Sequence, residues 1–205
     1  MQLQQWFGLF LQQLQQTSPL EWAGMIFGVL SVLLARANKV LLYPTGIIST
    51  AIYIYIFMQP SVKLYADALL NSYYLAMSIY GWILWTRKKG KETRISVAGP
   101  KDWTIAALIA AMGWVFLYFF LEHKTDSNVP AWDAFVAATA WSGMWLLAKH
   151  KVENWLMLNL SHLAAIPLYV YKQLPLTALL TLFLFIVAIF GYFEWRKTYR
   201  LHAAG

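Results

Sequence analysis

The chain of 205 residues contains no cysteine, which excludes disulfides, thiolate metal sites and a cysteine nucleophile. Charge is scarce as well. Only 12% of the residues are Asp, Glu, Lys or Arg, against about 25% in an ordinary soluble domain. Histidine is limited to His123, His150, His162 and His202, too scattered to converge on one metal, and no Gly-x-Ser-x-Gly elbow accompanies a base. These absences argue against an enzyme and give no reason to expect a cofactor. The opening stretch lacks the basic n-region and small-residue cleavage site of a secretory signal, so residues 1–19 are expected to form a retained, short interfacial helix.

What is abundant is apolar surface. Hydrophobic residues make up 60% of the chain and the mean hydropathy is +0.51. Apolar runs fall at 20–36, 40–58, 65–86, 102–121, 131–148, 152–171 and 175–195. Runs of about 20 residues match the thickness of a bilayer core, so the chain reads as an all-α membrane protein with seven transmembrane helices. Placing the N-terminus outside leaves only Lys63, Lys124 and Lys172, of sixteen Lys and Arg, on the outer side. Basic residues near helix ends favour the cytoplasm, so the C-terminus is expected inside. The net charge of +7 is then spent on anionic headgroups rather than on nucleic acid.

The third run, "ALLNSYYLAMSIYGWILW" from Ala68, aligns without a gap with the seventh, "ALLTLFLFIVAIFGYFEW" from Ala178. Six of these eighteen positions are identical, and both segments continue into basic residues. One helix separates the two units, which gives them the same direction across the bilayer. The expected organisation is 3+1+3, with parallel three-helix repeats at 20–100 and 125–200 joined by a linker helix at 101–124.

"YPTGIISTAIYIYIF", "KLYADALLNSYYLAMSIYGWILW", "WDAF", "LLAKHKVENW" and "LTALLTLFLFIVAIFGYFEW" resemble the PnuC family of bacterial vitamin transporters, from about Leu20 to Arg196. The resemblance implies a SWEET-like fold, commonly a homotrimer, in the bacterial inner membrane. It also implies facilitated diffusion, with a cytoplasmic kinase trapping the vitamin. The substrates known or proposed for the family are nicotinamide riboside, thiamine, riboflavin and deoxynucleosides.

Polar residues within the apolar runs are the candidate binding groups, because each is costly in lipid unless it faces protein or water. Trp155, Asn159, His162, Ile166 and Tyr169 form one stripe on the sixth run, at spacings of three and four. Asn71, Tyr74 and Ser78 form another on the third run, with Asn71 matched by Thr181 in the seventh. Thr45 and Ser49 are candidates on the second run, although back-bonding to their own carbonyls is an equal alternative. Trp141 and Trp145 offer indole faces to a cationic ring, or pack in the core. Pro44 and Pro167 are candidate hinges.

In the nicotinamide riboside branch of the family, a Trp and, four residues later, an Asn usually follow "ENW"; the corresponding residues here are Leu158 and His162. An imidazole offers one donor and one acceptor, which suit the aminopyrimidine or hydroxyethyl arm of thiamine. The expected substrate is therefore thiamine, as in the PnuT branch, with nicotinamide riboside as the alternative. A substrate-capture subunit without transport of its own is the reading from a different class. The expected cavity sits near mid-membrane, between Asn71 and Tyr74 on one side and Trp141, Asn159 and His162 on the other.

Overall fold

The computed structural model describes residues 3–59, 65–87 and 94–203. Among them are eight helices: α1 (Leu3–Gln16), α2 (Pro19–Arg36), α3 (Leu42–Phe57), α4 (Tyr65–Arg87), α5 (Pro100–Lys124), α6 (Pro130–Ala148), α7 (Asn154–Tyr171) and α8 (Pro175–Ala203). Helices α2 to α8 coincide with the seven apolar runs; α8 continues beyond its run as a basic helix. By length and composition, α2, α5 and α8 are each apolar enough to cross a membrane. The others carry the polar groups of the interior or are shorter.

Local chemistry sets the helix starts. Pro19, Pro100, Pro130 and Pro175 stand at first positions, where the missing N–H costs nothing. Ser18 and Glu21 close a reciprocal capping box at α2, the Ser18 N–H donating to Glu21 Oε2 at 2.7 Å. Pro44 falls within the first turn of α3, among backbone donors that have no helical partner, so it does not act there as a mid-helix hinge. Pro167 lies inside α7, which runs on through it. The expected N-terminal helix is present as α1, tied to the start of α8 by Gln13, whose amide donates to the Gln173 carbonyl and accepts from the Leu176 N–H.

In the bundle α2 packs on α3 and α3 on α4, while α6 packs on α7 and α7 on α8. Two further contacts join these trios, α4 with α6 and α2 with α8; α5 lies against α6. With α5 left aside, exchanging α2, α3 and α4 for α6, α7 and α8 maps the contacts within and between the trios onto themselves. The correspondence reaches single atoms. Ser49 Oγ donates to the Gly24 carbonyl at 2.8 Å, and 112 residues later Ser161 Oγ donates to the Val136 carbonyl at 2.7 Å. Tyr43 meets Trp85 edge to face at 5.1 Å, as Trp155 meets Trp195 at 5.7 Å. Gly81 and Gly191 admit those two α3 and α7 rings: a Cβ on Gly81 would overlap Tyr43, and one on Gly191 would lie 2.7 Å from Trp155.

These aromatic pairs close the end of the bundle that carries most of the basic residues. His150 stacks on Trp85 at 3.5 Å and lies 5.4 Å from Trp195. His150 and Asn38 follow α6 and α2 at equivalent positions, both with positive φ (59° and 54°). Their side chains meet, His150 Nε2 to Asn38 Oδ1 at 2.7 Å. Trp195 Nε1 donates to the carbonyls of Ala35 and Arg36. The segment before α5 is stitched to the α6–α7 turn as well: Ser96 pairs with Lys151 in an isolated bridge, and the Ala98 N–H donates to the Glu153 carboxylate at 2.7 Å. Glu153, Asn154 and Trp155 are thus packing and capping residues of this seal, with the Asn154 side-chain amide donating to the Lys151 carbonyl.

Candidate functional site

The opposite end, poor in basic residues, holds a cavity of about 730 Å³, within the range of about 300–1,000 Å³ typical of small-molecule sites. Its wall is built from the ends of seven helices. Helix α3 supplies Tyr53 and Phe57, stacked on each other at 5.7 Å. Helix α4 supplies Leu70, Asn71 and Tyr74, whose spacing of one helical turn places them on a common face. Asp133, Val136 and Ala137 line one face of α6, and Leu168, Tyr169 and Lys172 continue the wall at the end of α7. Thr177 and Leu180 come from α8, Met25 from α2, and Leu121 and Lys124 from α5, followed by 125–127 of the α5–α6 connection.

Aromatic and aliphatic side chains make up the larger part of the wall, and Asn71, Thr125, Ser127, Thr177 and four charged residues the rest. Among the described residues its charges balance: Lys124 and Lys172 against Asp126 and Asp133. Lys124 and Asp126 are exposed, whereas Lys172 Nζ lies 2.6 Å from both oxygens of Asp133. Ser127 Oγ donates to Asp133 Oδ2 at 2.6 Å. Such a lining suits a small, flat, uncharged or singly cationic molecule. Rings of Tyr53, Phe57, Tyr74 and Tyr169 present faces and edges to it, and the Asn71 amide offers a donor and an acceptor.

Of the residues singled out from the sequence, Asn71, Tyr74 and the stripe residue Tyr169 are on this wall; the others are elsewhere. Thr181, equivalent to Asn71, bonds back to the Thr177 carbonyl, and its neighbour Leu180 lines the cavity instead. Thr45 bonds back to Leu41 and Leu42. Ser49 ties α3 to α2, and Ser78 is buried beside Gly46. Trp141 is stacked on Tyr73 at 4.3 Å, accepts the Tyr73 hydroxyl hydrogen at its carbonyl and packs against Gly113. Its face is therefore covered by protein. Trp145 receives the Lys149 ammonium at 5.9 Å from its ring centre. The expected mid-membrane cavity is displaced towards the basic-poor end because α4, α5 and α6 pack closely around Trp141.

The α7 stripe divides along its length. Trp155 belongs to the aromatic seal and Tyr169 to the cavity. Asn159 and His162 lie between, with Asn159 Oδ1 and His162 Nδ1 buried and without a hydrogen-bond partner among the described residues. His162 is seven residues from Tyr169, about 10 Å along the helix axis. Leu158 fills the crossing with α6, where a Cβ on Gly143 would meet its side chain at 2.9 Å.

Sequence reasoning did not select Tyr53, Phe57, Asp133 or Lys172 as site residues, and named Tyr169 only as part of the α7 stripe. A signal was present for Asp133: with Val136 and Ala137 it forms a face of α6 that begins with a charge in an otherwise apolar helix.

Comparison with known proteins agrees with this architecture. A model of the nicotinamide mononucleotide transporter family matches residues 18–197. The chain is 25% identical to the nicotinamide riboside transporter PnuC of Escherichia coli (strain K12), over 88% of this chain and 86% of the relative. It is 21% identical to the protein of the same name from Neisseria mucosa, over 87% and 72%. The fold resembles the crystal structure of the vitamin B3 transporter PnuC with a TM-score of 0.72 and 20% identity, covering 96% of this chain and 89% of that one. Its apolar helices, their packing and a match running through almost all of them place this multi-pass membrane chain in the nicotinamide mononucleotide transporter family, the family of the PnuC transporters.

Proposed function

We propose that this protein carries nicotinamide riboside across the bacterial inner membrane by facilitated diffusion. The observation that carries the reading is the cavity: four aromatic side chains and one amide around a charge-balanced space, in a chain whose relatives are named nicotinamide riboside transporters. The riboside has a cationic aromatic ring, a carboxamide and ribose hydroxyls. Aromatic faces attract such a ring by cation–π interaction, worth about 2 kcal/mol when desolvated. Asn71 can both donate to and accept from the carboxamide. Among the described residues, the balance of Lys124 and Lys172 by Asp126 and Asp133 gives no excess positive charge to hold a phosphate, which favours the riboside over its mononucleotide.

Thiamine, the substrate expected from Leu158 and His162, has no support among the relatives. The physical premise for it also weakens, since Leu158 is committed to the α6–α7 crossing and His162 does not reach the cavity wall. Asn159 and His162 enter the reading differently. Their buried, unpartnered atoms are groups that a ligand advancing from the cavity towards the seal would satisfy.

The atom-level correspondence of α2–α4 with α6–α8 supports two parallel repeats at 20–100 and 125–200, with 101–124 as linker, and seven spans in all. The positive-inside bias supports an N-terminus outside and a C-terminus in the cytoplasm. In that orientation the cavity opens outwards and the aromatic seal closes the cytoplasmic side. A homotrimer and a cytoplasmic kinase that traps the product complete the proposal.

Reconstitution of the purified chain in liposomes tests it. Labelled nicotinamide riboside is expected to equilibrate across the membrane without ATP or a partner protein, and faster than thiamine. Binding without flux would instead identify a capture subunit, and faster entry of thiamine would restore that vitamin.

A further inference from the structure

We propose that Asp133 is the charge-recognising residue of the cavity, and that Lys172 is an internal cation which the positively charged ring of the substrate displaces from it. The inference rests on the reading that the cavity takes nicotinamide riboside. Among the described residues, two acidic side chains line the wall, Asp126 and Asp133. Asp126 is exposed in the α5–α6 connection, where water screens it. Asp133 is only 19% exposed, in the first turn of α6 and directly above Val136 and Ala137 on the cavity face.

The two members of the ion pair are held differently. Asp133 is fixed: its backbone N–H donates to the Val129 carbonyl and its carboxylate accepts from the Ser127 hydroxyl. Lys172 is the C-cap residue of α7, and its ammonium sits at the end of a flexible four-carbon stem. Its side chain is 25% exposed. An ammonium leaving Asp133 there finds both water and the carbonyls at the negative end of the α7 dipole. Displacement therefore exchanges one cation for another at a carboxylate that never stands unpaired.

The equivalent position in the first helical trio sharpens the assignment. Glu21 stands 112 residues before Asp133, in the first turn of α2, but its carboxylate is occupied in the capping box with Ser18. Of these two acids, it is the one in α6 that is directed across to another helix at the cavity.

The test uses full-length protein and two ligands that share ribose and carboxamide: cationic nicotinamide riboside and its neutral dihydro form. The parent is expected to bind the cation at least tenfold more tightly. Asp133→Asn should collapse that ratio at least tenfold, and Lys172→Met, which leaves the carboxylate unpaired, should raise it at least threefold. A ratio that both variants leave as in the parent, with affinities for the two ligands moving together, would make the pair structural and overturn the inference. If Asp133→Asn does not fold, Lys172→Met decides by the same ratio. A parent that binds neither form overturns the substrate reading itself, whereas a parent that binds the cation with ratios insensitive to both changes overturns this inference alone.

Discussion

The two ends of the bundle use aromatic side chains in opposite ways. At the basic-rich end Tyr43, Trp85, Trp155 and Trp195 turn towards one another over Gly81 and Gly191, and His150 joins them by stacking. At the other end Tyr53, Phe57, Tyr74 and Tyr169 surround a cavity. The same residue types therefore close one end and line the other. Glycine makes the difference: where α4 and α8 lack a side chain, the rings of α3 and α7 sink in until the helices touch. Where bulkier side chains and an ion pair stand at the helix ends, space remains.

The comparison breaks most severely if the seal is removed. Trp195 is fully buried and donates to two carbonyls at the end of α2. Trp195→Ala is expected to lower unfolding stability in detergent by about 3–5 kcal/mol, the cost of deleting a large core aromatic. A loss below 1 kcal/mol would show that the aromatic cluster does not hold that end together.

Overfilling should act more mildly and equally on the two helical trios. Gly81→Ala and Gly191→Ala each push a Cβ into a ring, and each is expected to cost about 1–3 kcal/mol. Thermal unfolding of the two variants checks this; a large effect at one site with none at the other would contradict the equivalence of the two ring-over-glycine contacts.

The smallest effect distinguishes the trios most finely. Ser49→Ala and Ser161→Ala remove matching interhelical hydrogen bonds of 2.8 and 2.7 Å. Each should cost about 0.6 kcal/mol, the average for such bonds between membrane helices. Urea or SDS titration of both variants and their combination should give equal and additive losses; inequality beyond about 1 kcal/mol would mean that the two crossings are not energetically alike.

Some of this was legible residue by residue. Hydropathy is a local property, so the apolar runs located α2 to α8 closely, and the identity between Ala68–Trp85 and Ala178–Trp195 announced matching helices. Gly81 and Gly191 were part of that identity. Their purpose was not readable, because the rings they admit belong to helices nearly forty residues away in the chain. "ENW" was legible as a family signature, yet its work is in the seal: Glu153 receives the Ala98 N–H, Asn154 caps the turn and Trp155 covers Gly191.

By itself, then, the sequence determined where the helices run, which ends carry the basic residues and that two helical segments repeat, since each follows from composition and order along the chain. Tertiary structure alone decided which polar residues face the cavity. The rotation of a helix about its axis and its depth against its neighbours depend on contacts with other helices. A stripe such as Trp155, Asn159, His162 and Tyr169 is continuous on one helix, but the neighbouring helices divide it into seal, buried middle and cavity wall. For the same reason Asp133 and Lys172, 39 residues apart, became a pair only when α6 and α7 packed side by side.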